Sequence, residues 1–313
     1  MDVNWGRVVQ IAFQPMQYLI YRAGIYGVVG AGVIAYLMIL GFVGLAFGFG
    51  ASLLLFILSA VLSALPLAAR YAGFDPFASI KLGYLALITE ILNEGQLPWG
   101  VSEPNWARSR VSDRFRSATG AGQLCGLVLR ALRDTHRSVL SLESLVPIAR
   151  LAGSPKLAKL AANGALIYLP YVILAKVFRT ESREVFTTVK DSVVKYAHSG
   201  SDSLRLAALF CAVGYALLVP LTVLFLVPLG SIAMFLPAST GWSTMRLVFF
   251  LTAVVLSFMV KWIVFDPIAL TAVAINQLDA AEDQGADPAA ESRLEEVSPA
   301  FREINRLSKE ERQ

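Results

Sequence analysis

The chain has 313 residues, of which 56% are hydrophobic and only 16% are charged, and its formal net charge is +4. Soluble domains carry about 25% charged residues, so the composition excludes a protein whose whole surface faces water. Two cysteines, Cys125 and Cys211, stand alone in the sequence, which excludes a disulfide framework and a zinc motif. We therefore predict an all-α, polytopic membrane protein.

The predicted architecture is two transmembrane hairpins, about four spans in all, together with amphipathic cytoplasmic helices. In chain order the segments are an interfacial N-terminal helix, a first hairpin with a following interfacial helix, a basic helical region, a second hairpin and an acidic tail. Their boundaries are 1–22, 23–98, 99–205, 206–285 and 286–313.

The N-terminal helix, Val3–Tyr21, carries apolar side chains on both sides of Pro15 and leads into the first span. It is not typical of a cleavable signal, because the apolar run after it is too long and lacks a small-residue cleavage site. We expect Met1 onward to stay in the mature protein.

The first hairpin is predicted from Ala23–Ala69, which contains no charge and is bracketed by Arg22 and Arg70. One helix of that length would be about twice the thickness of the hydrocarbon layer. The run must therefore turn, and Phe47–Gly50 is the natural break. The predicted spans are 25–46 and 51–69.

The basic region is predicted to be helical, with Arg130, Arg133 and Arg137 on one side of a helix as candidate contacts for anionic lipids of the inner leaflet. An ordinary bundle with a solvated face is the alternative. The arginines at 108–116 lack any nucleic-acid-binding motif, so we expect no nucleic-acid partner. Leu160–Ala175 is apolar but short, and it is left open as a fifth span, a re-entrant segment or an interfacial helix.

The second hairpin is predicted from Leu206–Met245, again uncharged, which breaks at Pro237–Trp242. Lys261 lies near the inner end of its second helix, where the long side chain can reach the interface. The predicted spans are 206–230 and 246–265.

Each hairpin ends in the same pattern, a cation followed after three residues by Phe-Asp-Pro: Arg70 with Asp75, and Lys261 with Asp266. Asp before Pro is a helix-start signal, so one interpretation is a pair of N-caps that each begin a new interfacial helix. The other is a pseudo-symmetric pair of carboxylates that bind a cation or proton at the inner mouth of a transport path.

Gly44 and Gly48 form a small-xxx-small pair that permits close approach of another helix, either inside the chain or from a second copy. The tail after residue 285 is acidic, and short helices are predicted to begin at Pro288 and at Ser298-Pro299. The tail is interpreted as solvated or disordered, or else as a segment that docks on the basic region or on a partner.

No catalytic or metal-binding motif accompanies these features, so we expect neither enzymatic activity nor a cofactor. Lys and Arg are concentrated in the middle region, which predicts that it faces the cytoplasm together with both termini, in a plasma or inner membrane. The predicted function is a non-enzymatic scaffold or subunit of a membrane complex, with protein partners or a homo-oligomer. The alternative is a transporter or channel for a small solute or ion, built from the duplicated hairpin.

Overall fold

The computed structural model of the protein describes residues 4–58, 77–115, 118–138, 163–166, 168–180, 184–199, 201–237, 239–280 and 287–313. Within these residues every regular element is helical, in agreement with the predicted all-α class. The chain forms two compact units. We call Ile20–Ala68 with Val213–Asp266 the membrane unit, and Met1–Leu19, Ala69–Ala212 and Pro267–Gln313 the helical domain.

Three of the described helical stretches are long and apolar enough to cross a bilayer. They are Met16–Phe47, Asp202–Met234 and Trp242–Leu278. Large apolar side chains such as Val28, Phe42 and Val219 are exposed along them. Exposed apolar surface of this extent is compatible with lipid and not with water, so the protein is a membrane protein.

The membrane unit contains the following described helices, of which α2 begins just outside it: α2 (Met16–Phe47), α3 (Phe49–Leu58), α10 (Leu218–Met234), α11 (Thr240–Val260) and a π-helical turn (Lys261–Phe265). Gly48 separates α2 from α3 and has a φ of +88°. Because that left-handed conformation favours glycine, Gly48 ends α2 where the sequence predicted a break. The predicted span 51–69 is described only as far as Leu58, and the rest lies outside the described residues.

Helix α2 packs antiparallel against α11 at glycine positions. A Cβ atom on Gly30 would meet Met259, and a Cβ atom on Gly41 would meet Met245, so the numbering falls along α11 as it rises along α2. Helices α10 and α11 are antiparallel too: Thr222 Oγ1 donates to Ser257 Oγ at 3.1 Å, and Arg246 Nε donates to Ala233 O at 3.3 Å, so the numbering falls along α11 as it rises along α10. Small residues let helices approach closely enough for dispersion to hold them together in lipid.

The helical domain is built from ten helices among the described residues, some of which extend past its boundaries: α1 (Trp5–Phe13), α4 (Ala78–Glu94), α5 (Glu103–Phe115), α6 (Ala118–Ser138), α7 (Leu169–Arg179), α8 (Val185–Ser199), α9 (Ser201–Ala216), α12 (Asp266–Ala280), α13 (Pro288–Val297) and α14 (Pro299–Glu311). Helices α4 and α7 lie at its centre and are buried along most of their length.

Helix α7 contains the last part of Leu160–Ala175, residues 169–175. It has 11 residues, and nearly all of them, including Leu169, Ile173 and Leu174, are buried among the other helices of the domain. A span needs about 20 apolar residues. Residues 169–175 therefore belong to a core helix of the helical domain, and their apolar composition reflects burial in protein.

One side chain joins the three chain segments of the helical domain. The fully buried Tyr84 hydroxyl donates to Ala12 O at 2.9 Å and lies 2.9 Å from Thr271 Oγ1, from which it can accept. A buried hydroxyl needs such partners, because leaving it unpaired costs roughly 1–3 kcal/mol. Tyr84 on α4 thus ties α1 and α12 to the domain centre.

The acidic tail is folded and docked on the helical domain. Helices α13 and α14 begin at Pro288 and Pro299, as the sequence predicts. Ser298 Oγ accepts from Phe301 N and donates to Asp134 Oδ2 on α6. Of the interpretations left open for the tail, docking on the chain's own basic region is the one observed.

A buried ion pair on a π-helical turn

The ion pair between Lys261 and Asp266 is the most enclosed charge pair among the described residues. Lys261 Nζ donates to Asp266 Oδ1 at 2.8 Å, and the two side chains are only 6% and 9% exposed. Burial of either charge alone would cost several kcal/mol, and the attraction between the two charges offsets this desolvation cost. The two residues therefore depend on each other within an otherwise apolar unit.

The π-helical turn explains the spacing of five residues between them. Side chains at i and i+5 do not share a face of an α-helix, where neighbours are three or four residues apart. Here Asp266 N donates to Lys261 O, an i to i−5 hydrogen bond that widens the turn. The widened turn brings the ammonium and the carboxylate onto one side of the helix.

Pro267 leaves the carbonyl of Trp262 without a backbone donor, and Arg22 supplies the missing hydrogen bond. In the register of this turn the next donor would be residue 267, which would bond to Trp262 O, but proline has no N–H. Arg22 Nη2 donates to Trp262 O instead, at 3.0 Å. The Arg22 side chain is buried and its guanidinium lies over the Tyr26 ring, 5.3 Å from the centroid. Arg22 thereby fastens α2 to the π-helical turn.

Gly214 and Tyr215 on α9 complete the surroundings of Lys261. A Cβ atom at Gly214 would lie 3.1 Å from Lys261 Cε and 2.8 Å from Phe265 Cε1, so a larger residue here would force the Phe265 ring to move. The Lys261 ammonium lies 5.4 Å from the centroid of the Tyr215 ring, within the range of a cation–π interaction.

The N-cap interpretation of Asp266 is not what the structure has. The chain stays helical from Thr240 through Ala280, and Asp266 has the ordinary α-helical φ of −62° and ψ of −35°. Its carboxylate accepts a hydrogen bond from Lys261 Nζ and does not cap a helix N-terminus. The other copy of the pattern, Arg70 and Asp75, lies outside the described residues.

The remaining predicted residues fall in different places. Gly44 is buried against Thr244 of α11, so the close approach at this position is made within the chain, whereas Gly48 ends α2. On α6 Arg130 is exposed and Arg133 is partly exposed, and the side chain of Arg137 lies outside the described set. A contact of these arginines with lipid stays a prediction.

The chemistry available at the ion pair is limited by its own pairing. The carboxylate of Asp266 is engaged by an ammonium, and among the described residues no group of three or more His, Cys, Asp or Glu could hold a metal ion. The pair links the two ends of the π-helical turn that follows α11.

Sequence reasoning missed Arg22, Gly214 and Tyr215 as partners of this pattern. Arg22 was used only as the boundary of an uncharged run. Two signals pointed to a π-helical turn: the same five-residue step from cation to Asp in both copies, and the proline that leaves a carbonyl without its donor.

Comparison with known proteins adds no relative. The chain matches no protein-family model, and no curated protein and no solved structure is significantly similar to it.

Proposed function

We propose that the protein is a non-enzymatic scaffold or subunit of a membrane complex, whose helical domain lies on the cytoplasmic side and is anchored by two transmembrane hairpins. The proposal rests on how the charges of the membrane unit are used and on the way the chain passes between its two units.

The hairpin arrangement is supported by the fact that the helical domain is assembled from three separate segments of the chain. Its three segments are separated in sequence by Ile20–Ala68 and Val213–Asp266, yet they fold into one compact unit. If the domain lies on one side of the membrane, as proposed, each intervening segment leaves that side and returns to it. An even number of crossings in each favours two spans apiece.

The cytoplasmic orientation is supported by charge. Residues 104–205 hold 16 Lys and Arg against 7 Asp and Glu. Basic residues near membrane spans are retained on the cytoplasmic side. The exposed Arg130 on α6 belongs to this basic surface, and we propose it as a contact for anionic inner-leaflet lipids.

The observation that carries the scaffold proposal is that every ionic side chain of the described membrane unit already has a structural task. Arg22 binds Trp262 O, and Lys261 binds Asp266. Arg246 donates to Ala233 O at 3.3 Å and to Leu236 O at 2.9 Å, which satisfies carbonyls at the end of α10. A polar solute that crosses the bilayer needs partners inside it, and each of these side chains already makes at least one hydrogen bond within the protein.

A carrier or channel is the second candidate. One observation favours it, namely a buried Lys–Asp pair beside a π-helical turn, since such turns are frequent at functional sites. It predicts that Asp266→Asn abolishes solute or proton flux in proteoliposomes while the protein folds normally.

The test of the scaffold proposal is extraction of the intact chain from its native membrane into lipid nanodiscs, followed by native mass spectrometry. We expect a fixed stoichiometry with another protein or with further copies of the chain. A homogeneous monomer that conducts a solute after reconstitution would contradict the scaffold proposal and support the carrier.

A further inference from the structure

The exposed apolar side chains of the helical domain are concentrated on elements that adjoin the membrane spans. Among its described residues, the large apolar side chains that are exposed are Trp5, Val9, Met16, Trp99, Val101, Leu209 and Val297. All of them except Val297 lie on α1, in the first turn of α2, on α9 or in the loop between α4 and α5. Exposed apolar surface of this kind marks a contact with a partner or with a membrane.

The loop between α4 and α5, residues 95–102, carries the most exposed of these side chains, and we call it the Trp99 loop. Trp99 is 92% exposed, and Val101 is exposed beside it. Gly95 N donates to Ile91 O and Trp106 N donates to Ser102 O, each at 2.9 Å. Both ends of the loop are therefore held by the adjoining helices.

Glu103 places the Trp99 loop near the start of a membrane span. Tyr18 N donates to Glu103 Oε2 at 2.8 Å. Tyr18 lies in the first turn of α2, which is long and apolar enough to cross a bilayer. Trp99 precedes Glu103 by four residues, so the Cα atoms of these two residues are at most about 14 Å apart.

The level of Tyr18 relative to the bilayer follows from helix geometry. The uncharged run of the first span begins at Ala23, five residues after Tyr18, which corresponds to about 7.5 Å of α-helix. The headgroup layer on each side of the hydrocarbon core is about 5–7.5 Å thick. Tyr18 and its partner Glu103 therefore lie at the level of the lipid headgroups.

Helix α1 presents a second pair of exposed apolar side chains beside a span. Trp5 and Val9 are four residues apart and so share a face of the helix. The Trp5 ring lies 5.6 Å from the ring of Phe210, measured between centroids. Phe210 belongs to the stretch Asp202–Met234, which is also long and apolar enough to cross a bilayer.

We propose that the Trp99 loop and the exposed face of α1 are inserted into the headgroup region of the bilayer, so that lipid covers this surface of the helical domain. Tryptophan suits such a position, because its ring is apolar and its indole N–H can donate to a headgroup. Residues 95–102 include no charged side chain, so burial of apolar surface holds the loop there and not ionic attraction. The inference applies to a scaffold and to a carrier alike, because it requires only that α2 and the stretch Asp202–Met234 are spans.

The test measures contact with lipid at positions 99 and 9 of the purified full chain. The buried Cys125 and Cys211 are replaced by alanine. A bimane fluorophore is then attached at Trp99→Cys or at Val9→Cys, in nanodiscs of phosphatidylcholine with or without bromine on the acyl chains near the headgroup. We expect brominated lipid to quench both labels strongly and aqueous iodide to quench them weakly.

The matched control is Val297→Cys, an exposed apolar position on α13 of the same domain. Its label should respond in the opposite way, with strong quenching by iodide and several-fold weaker quenching by brominated lipid. If brominated lipid left the label at position 99 or at position 9 unchanged, the proposal would be overturned.

A second measurement does not depend on a label. Trp99→Phe removes one of the five tryptophans of the chain, and the emission that is lost relative to the wild-type protein is that of Trp99. We expect the lost emission to be the part that brominated lipid quenches. Lost emission that only iodide quenches would mean that Trp99 faces water, and the proposal would fail.

Discussion

At the scale of single residues, the membrane unit has few charges and uses each of them for a defined contact. Lys261 and Asp266 form an ion pair. Arg22 donates to the carbonyl of Trp262, which has no backbone donor because Pro267 lacks an N–H. Such contacts matter more in an apolar surrounding than at a wet surface, because no water is there to solvate an uncompensated charge.

The first prediction concerns the buried pair. Asp266→Asn leaves the Lys261 ammonium without its anion and should lower the free energy of unfolding by about 3–5 kcal/mol. Lys261→Met combined with Asp266→Asn should recover much of that loss, because the stranded charge is gone. Thermal unfolding in nanodiscs measures both.

The matched control is the exposed pair Asp202–Arg205, whose nitrogen and oxygen atoms are 3.1 Å apart. Exposed pairs contribute roughly 0–1 kcal/mol, so Asp202→Asn should change the Tm little. If Asp266→Asn were as mild as Asp202→Asn, the buried pair would not stabilise the fold.

The second prediction concerns Lys176 and pH. Its pKa is lowered to about 8 in the folded protein against 10.5 for an unperturbed lysine, first by burial and then by Lys195. The unfolded chain therefore binds this proton more tightly, and the contribution of Lys176 to stability rises with pH from about 8 toward 10.5. Lys176→Met should remove that rise and increase the Tm most at pH 7. A wild-type Tm that falls over this window, with no difference from Lys176→Met, would contradict it.

At the scale of helices, stability depends on close approach and on satisfied helix ends. Helix α2 meets α11 through glycines, and helix α8 has its first amides satisfied from outside. Glu311, near the C-terminus of the chain, accepts from Val185 N and Phe186 N at 2.8 Å each. The last turn of α14 thus caps the first turn of α8.

The third prediction tests the approach of α2 to α11. Gly44→Ala would put a Cβ atom 2.8 Å from Thr244 Cβ, and because threonine is stiff, the helices must separate. We expect a loss of about 1–3 kcal/mol. A Cβ atom on Gly32 would meet no neighbouring side chain or helix within 4 Å, so Gly32→Ala should be neutral or slightly stabilising. Equal effects of the two substitutions on the Tm would argue against glycine-mediated packing.

The fourth prediction tests the cap from Glu311. Glu311→Ala should lower the free energy of unfolding by about 1 kcal/mol and speed hydrogen exchange of the first amides of α8. Glu310→Ala removes only an exposed contact with Arg306 and serves as the control. Unchanged exchange at Val185 and Phe186 in Glu311→Ala would show that the cap does not form in solution.

The sequence predicted the helical class, the apolar helices and the break at Gly48, because length and composition decide these features. It could not separate lipid-facing from core-facing apolar runs, so α7 was left open although it is a buried helix. The N-cap interpretation of Asp266 was wrong because Asp-Pro is a local helix-start signal, whereas Arg22 and Gly214, which contact the π-helical turn, are distant in sequence. Local patterns carry no information about such contacts.

At the scale of the whole molecule, the chain passes twice out of the helical domain and back into it. The domain is complete only when α1, α12 and the docked tail have joined its central helices, as the Tyr84 hydrogen bonds show for α1 and α12. This arrangement is the basis of the proposal that the membrane unit crosses the bilayer an even number of times in each passage, with the domain in the cytoplasm.

Cysteine labelling of intact cells tests that central claim most directly. The native Cys125 and Cys211 are both buried and can be replaced by alanine, and single reporters are then placed in the exposed turn after α10 as Ser239→Cys and on α14 as Lys309→Cys. We predict that a membrane-impermeant maleimide labels the reporter at position 239 from outside and the reporter at position 309 only after permeabilisation. Labelling of position 309 in intact cells, or protection of position 239 until the membrane is opened, would contradict the account.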